Sequence, residues 1–312
     1  MITTTSEVLH SYVNGNYSVT LYKDGTKVRD YGGEASLVPQ YPESIDVKIT
    51  NYCDLNCKFC HEESTIDGLH GDLSLLLSLT DGCPAGVELA IGGGNALAHP
   101  DIMEVFPLLA ARGVILNVTV NQEHLLNTTY MGMLIELIKK DIIRGVGISV
   151  TDNIERVATQ LSTLQSYTNN VVYHVIAGVN TVEVLDKLCL ISPNYKVLVL
   201  GYKQHGRGNK FYQLREKSVV DNLHRWYQFL PRYIGGDNII SFDNLAIKQL
   251  NVRRLFSDRE WRRFYMGDDG THTFYIDLIE KKFAKSSTTE LQHNLLGSNI
   301  EMFKQVRAQY LA

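Results

Sequence analysis

The sequence predicts an α/β protein in which short parallel strands alternate with helices. Three observations carry that reading. Six short apolar runs, at 45–50, 87–91, 114–120, 146–150, 171–177 and 197–200, have strand character. Between them, helical periodicity fills 73–79, 101–112, 123–140, 154–167 and 182–190. At 312 residues the chain is long enough for one barrel-sized unit with flanking segments. Strand–helix alternation of this kind is the pattern of a parallel sheet with crossover helices.

Residues 12–29 alternate as strands do, and Asn14-Gly15 and Asp24-Gly25-Thr26 read as hairpin turns, so 1–40 is expected to be a small β extension. The strand–helix repeats then define a core over 41–212. After Phe211 the register changes. An amphipathic helix is expected at 217–230, a strand at 238–242 and helical structure over 244–265. A hairpin at 271–279 and 282–285 and a last helix at 300–310 complete an α+β extension over 213–312.

Close to half the residues are hydrophobic (44%), 21% are charged and the formal net charge is −4, which gives no sign of a polyanion partner. Arg253, Arg254, Arg259, Arg262 and Arg263 scatter around a helix and read as solvated surface; no nucleic-acid partner is expected. The most apolar short run, at 73–79, is far below the ~20 residues that cross a bilayer, and the first residues lack a basic segment followed by an apolar one. A cytoplasmic protein without a membrane partner is expected.

Five cysteines are present, and Cys53, Cys57 and Cys60 form a C-x3-C-x2-C cluster directly after the first core strand. That is a poor disulfide framework and a good metal site for a reducing compartment. Three such thiolates can hold three irons of a cubane iron–sulfur cluster and leave the fourth iron open. His61 could complete a Cys3His zinc set, although adjacent residues chelate one tetrahedral ion awkwardly. Cys83 and Cys189 stand alone and read as small buried hydrophobes.

In barrels the chemistry sits where strands run into loops. The second core strand runs into Gly92, Gly93, Gly94 and Asn95, then His99-Pro100-Asp101; the loop after the sixth carries Lys203, His205, Arg207 and Lys210 among three glycines. An ammonium and a guanidinium there could clamp a carboxylate or phosphate, from the cofactor or the substrate. The bland alternative is a solvated loop. Ser149 and Asp152 could equally be helix caps, and Gly178 a strand-to-helix turn.

The cysteine spacing, Phe59 before the last cysteine and the position after a first strand resemble the radical S-adenosylmethionine (radical SAM) enzymes. The resemblance covers about residues 45–210. It implies a partial (β/α)6 TIM-like barrel with Cys53, Cys57 and Cys60 holding a 4Fe-4S cluster and S-adenosylmethionine (SAM) on the open iron. It also implies SAM contacts at Phe59, Gly93, Gly94, Asn95, Asn121, Ser149, Asp152, Gly178, Lys203 and Arg207. Asn95 departs from the family pattern, which has a glutamate there. The implied reaction is reductive cleavage of SAM to a 5′-deoxyadenosyl radical that takes hydrogen from a substrate: a small metabolite, a nucleoside or a peptide. The implied partner is a flavodoxin- or ferredoxin-like electron donor. No cysteine follows Cys189, so no cysteine-ligated auxiliary cluster is expected in the C-terminal extension. The alternative is an iron–sulfur or zinc protein without turnover.

Overall fold

The structure, a computed structural model, describes residues 6–32, 36–192 and 194–311; residues 1–5 and 33–35 of the expected β extension lie outside it. Strands β1 (Val8–Asn14), β2 (Tyr17–Tyr22) and β3 (Lys27–Asp30) form an antiparallel sheet in that order. Its hairpins turn at Gly15 (φ 71°) and Gly25 (φ 86°), left-handed positions that glycine adopts without strain.

The second sheet holds ten strands among the described residues and is mostly parallel. Its centre is β4 (Ser44–Thr50), β5 (Glu88–Gly93), β6 (Ile115–Asn121), β7 (Ile143–Ser149), β8 (Val171–Ile176) and β9 (Lys196–Leu200), paired in chain order. The intervening helices are α1 (Ser74–Leu79), α2 (Ile102–Ala111), α3 (Thr128–Lys139), α4 (Ala158–Gln165) and α5 (Val184–Ile191).

The segment after α6 (Arg207–Phe229) enters this sheet at both edges. Strand β10 (Ile239–Phe242) pairs in parallel with β9; after α7 (Asn244–Gln249) and α8 (Asp258–Phe264), β11 (Thr273–Asp277) pairs in parallel with β4. Strands β12 (Lys282–Ala284) and β13 (His293–Asn294) add antiparallel pairings beyond β11, and α9 (Asn299–Leu311) follows. The strand expected at 238–242 and the hairpin expected at 271–285 are therefore parts of the main sheet.

Each central strand buries one face under helices. Ile45, Val47 and Ile49 of β4, Leu116, Val118 and Val120 of β6 and Val197 and Val199 of β9 are all buried in the main core. Burying each such side chain contributes about 1.5–3 kcal/mol, so this face sets the register of every strand.

Local chemistry accounts for the departures from the expected boundaries. The run at 123–140 breaks into a short 3-10 turn and α3, because the Asn127 side chain accepts from Thr129 N at 2.9 Å and Tyr130 N at 3.3 Å and starts a new helix. The run at 244–265 breaks after α7, where Asn251 is left-handed (φ 47°), and α8 starts again at the Ser257–Glu260 capping box. Helix α6 begins at Arg207, ten residues before the expected start at 217, which shortens the loop after β9. Cys189 is exposed, which corrects the expectation of a buried hydrophobe: α5 rests on Val184, Leu185 and Leu188, and Cys189 falls on the outward side with Leu190. Cys83 is half-buried and its sulfur takes a hydrogen bond from Asn299.

Candidate functional site

The faces opposite the core line a single cavity of about 660 Å³. Asp46 and Lys48, Ala90 and Gly92, Asn117 and Thr119, Gly145, Gly147 and Ser149, Val172 and His174, Leu198 and Leu200 lie at alternate positions of β4 to β9 and face it. Ser241 of β10 and Tyr275 of β11 continue the wall. In-register pairing aligns them: Tyr275 with Asp46, Asp46 with Ala90, Ala90 with Asn117, Asn117 with Gly145. Small residues keep the space open. A side chain at Gly147 would stand 2.5 Å from the His174 ring, whereas one at Gly92 would meet nothing within 4 Å. At the far end the β2–β3 turn closes the cavity: Lys196 Nζ donates to Asp24 O at 2.9 Å and Asn170 Nδ2 to Lys23 O at 3.0 Å.

The cysteine loop leaves β4 at the opposite end. Its base is a ladder in which Cys53 N donates to Thr65 O (2.8 Å) and Thr65 N to Asn51 O (3.1 Å). The glycines after β5 pack on this ladder. Gly94 N donates to Thr50 O at 2.7 Å and Asn95 N to Tyr52 O at 2.6 Å; a Cβ on Gly94 would lie 2.1 Å from Tyr52 O, and Gly93 is left-handed at φ 113°. Only glycine tolerates that approach. Cys53, Cys57 and Cys60 are all half-buried free thiols. Burial pushes Cys53 and Cys57 up, repulsion from Cys60 adds to both, and the Arg207 guanidinium acts in the opposite direction.

Five of the buried side-chain atoms without a hydrogen-bond partner lie on or against this loop: Asn51 Oδ1, Ser64 Oγ, both amide atoms of Asn95, and His124 Nδ1. His124 Nε2 lies 3.0 Å from Asp54 Oδ1, and ligand atoms of Cys53, Asp54 and His124 fall within 4.8 Å of one another.

Where the loop meets the cavity, charged groups form a chain. Lys48 Nζ pairs with Glu62 at 2.9 Å and Asp277 at 3.1 Å; His61 Nε2 lies 3.1 Å from Glu62 Oε1 and 3.2 Å from Lys203 Nζ, which donates to Ser287 Oγ at 3.0 Å. Burial alone would raise the Glu62 carboxyl, but His61 and Lys48 outweigh it and hold it at about 2. His61 is held down by burial and by Lys203. Asp46 is exposed only to the cavity: desolvation, with Asp269 and Asp243 nearby, lifts its carboxyl to about 6 against the pull of Lys203. Burial lowers His174 to about 4.

Of the residues singled out as SAM contacts, Gly93, Ser149 and Lys203 line the cavity. The others have structural engagements. Phe59 packs edge-on against Phe211 (5.9 Å), and Gly94 and Asn95 pack on the cysteine loop. Asn121 caps the turn at Glu123, and Asp152 receives Thr181 N and Asn180 Nδ2. Gly178 gives way to the Tyr202 ring, and Arg207 binds loop carbonyls. Asp46, Lys48, His174, Asp243 and Asp277 were missed. Asp46 and Lys48 alternate with Ile45, Val47 and Ile49, so a polar i, i+2 pattern in an otherwise apolar strand was the available signal.

Neither the family models nor the curated proteins give a match to the chain. Solved structures do. SuiB of Streptococcus suis bound to S-adenosylmethionine superposes with a TM-score of 0.55 at 10% identity, covering 88% of this chain and 66% of SuiB. The protein anSMEcpe, with bound AdoMet and the Cp18Cys peptide, gives 0.55 at 13% identity over 84% of this chain and 79% of its own. Both are radical SAM enzymes. The fold is that of the radical SAM enzymes. SuiB bound to its precursor peptide SuiA matches at 0.55 and 12% identity, and there this chain spans 63% of SuiB. The radical SAM fold thus accounts for the large, mostly parallel sheet. No helix among the described residues is long and apolar enough to cross a membrane.

Proposed function

We propose that this chain is a radical SAM enzyme whose active site is the cavity bounded by the cysteine loop. The observation that carries the reading is one half-buried loop of three free thiols whose next residues, His61 and Glu62, line a cavity built by the inward faces of a radical SAM-type sheet. In this reading the sheet curls as a partial barrel over 41–212, with 1–40 closing one end and 213–312 packing on it and adding strands at its edges.

The residues fit the implied groups. Cys53, Cys57 and Cys60 would hold a 4Fe-4S cluster, a set suited to three irons. A cavity of about 660 Å³ is within the range of small-molecule sites, ~300–1,000 Å³. When bound, cluster and SAM together would supply a 5′-deoxyadenosyl radical able to abstract hydrogen. The chain's own part is to bind, orient and exclude water. Gly92 leaves room for a backbone approach, while Lys203 and Ser149 offer polar contacts. Lys48 fixes Glu62 and Asp277 so that the wall beside the cysteine loop is rigid before anything enters.

SuiB and anSMEcpe have been seen with peptides, which favours a peptide substrate here; small metabolites and nucleosides are the alternatives. A flavodoxin- or ferredoxin-like protein would supply the electron, in a cytoplasmic, reducing setting. A zinc- or iron-holding protein without turnover is the rival reading, and Cys53, Asp54 and His124 are its specific support. Metal and sulfide analysis after anaerobic reconstitution separates the two. Iron with sulfide, lost in Cys57→Ala, is expected; one zinc per chain unaffected by Cys57→Ala would favour the rival.

A further inference from the structure

Arg207 opens α6, but its side chain turns toward the cysteine loop. Nε donates to Cys57 O at 2.9 Å and Nη2 to Ser64 O at 2.8 Å, while its backbone N–H donates to Cys60 O at 3.1 Å. One residue thus holds three carbonyls of one loop, and two of them belong to cysteines. The surrounding sequence makes the approach possible. A Cβ on Gly206 would stand 2.7 Å from His61 O and 2.5 Å from Glu63 Cγ, and one on Gly208 would stand 2.4 Å from Lys203 O. The Tyr202 hydroxyl donates to Gly208 O at 2.6 Å, so the start of α6 is itself anchored. Phe211, one turn on, packs against Phe59 within the cysteine motif.

We propose that Arg207 is the positioning residue of the metal site, holding the loop so that Cys53, Cys57 and Cys60 stay grouped before any metal arrives. The proposal rests on the cluster-binding reading above and deepens it, since the loop after β9 then acts on the cysteines and not on an anion. A guanidinium suits the task because its donors sit in a rigid planar fork, which fixes the separation of two carbonyls from different turns. An ammonium gathers its three donors on one rotating nitrogen and does not fix that separation. Outer partners of metal ligands commonly set metal affinity by roughly 10–100-fold.

The test uses the full chain with Arg207→Lys and Arg207→Ala, in two assays. In the metal-free protein, alkylation by iodoacetamide is followed at Cys57 and Cys60 by peptide mapping and normalised to exposed Cys189. In the reconstituted protein, iron loss to a ferrous chelator and the electron paramagnetic resonance line shape of the reduced cluster are recorded. Faster alkylation of Cys57 and Cys60, iron loss faster by roughly 10–100-fold and a changed line shape are expected in both variants. Wild-type alkylation and iron retention in Arg207→Lys would overturn the proposal, and that variant decides if Arg207→Ala does not fold. Should the wild type take up no iron and sulfide, the cluster reading fails. The alkylation comparison then still reports on the grip of Arg207.

Discussion

Strand β4 carries a buried ionic network at each end, and the two are built differently. At its start, Glu43 is almost fully buried and satisfied on every side: Arg29 Nε donates at 2.9 Å, the Tyr17 hydroxyl at 2.6 Å, and His272 Nδ1 lies at 3.3 Å. At its far end, Lys48, Glu62, Asp277, His61 and Lys203 form an open chain along a cavity wall, with Asp46 beside it. The closed network ties the antiparallel sheet to the parallel one. The open one has surface left for a ligand. The same residue types thus make a structural knot or a binding wall according to whether the remaining donors and acceptors are already used.

The largest stability effect should come from the knot. Glu43→Gln leaves the Arg29 charge buried without compensation and is expected to cost about 3–5 kcal/mol in urea unfolding while leaving SAM affinity unchanged. If SAM affinity falls in step with stability, the two networks are not separable.

Lys48→Met should show the reverse balance. Glu62 keeps His61 and Asp277 keeps the Ile279 and Glu280 N–H groups, so a smaller stability loss of about 1–3 kcal/mol is expected with at least tenfold weaker SAM binding by calorimetry. An unchanged SAM affinity would remove Lys48 from the site.

Acid should dissolve the knot. The Glu43 carboxyl would rise on burial, but His272, Lys27 and Arg29 hold it at about 2. Because the folded value lies below the ordinary 4.5, the stability it contributes is complete above pH 4.5 and is lost as pH falls through 2. Glu43→Gln should therefore flatten the acid limb of the stability curve, and a variant that retains the wild-type slope would contradict the assignment.

The smallest effect belongs to Asp46, whose folded value is raised to about 6 from the ordinary 3.8. Its folded form favours the proton, so stability is complete below pH 3.8 and declines as pH rises through 6. Asp46→Asn should gain stability over wild type across that interval and hold a constant gain above it. Equal differences at pH 4 and pH 8 would show that Asp46 is solvated like a surface group.

Much of the sheet was legible because each central strand carries a dense apolar face, and such a face fixes strand identity. The cysteine loop stood out because three thiols in eight residues read as a metal set, and the fold shows them free on one half-buried loop. The edges were not legible. Strand β11 reads as one arm of a local hairpin with β12, and nothing in its residues announces the parallel partner more than 200 positions earlier, at β4. Arg207 shows the same limit within the site. Composition marks it as a candidate anion binder, and only the fold brings two loop carbonyls onto its Nε and Nη2. The inward polar residues were obscured by their small or neutral neighbours, Ala90, Gly92 and Gly147, which register only once the strands are placed side by side.

The most direct measurement is 5′-deoxyadenosine by mass spectrometry, after anaerobic reconstitution with iron and sulfide, reduction with dithionite and incubation with SAM. Formation well above a Cys57→Ala control is the predicted result. No formation above that control, with the cluster confirmed bound and candidate peptides present, would contradict the account.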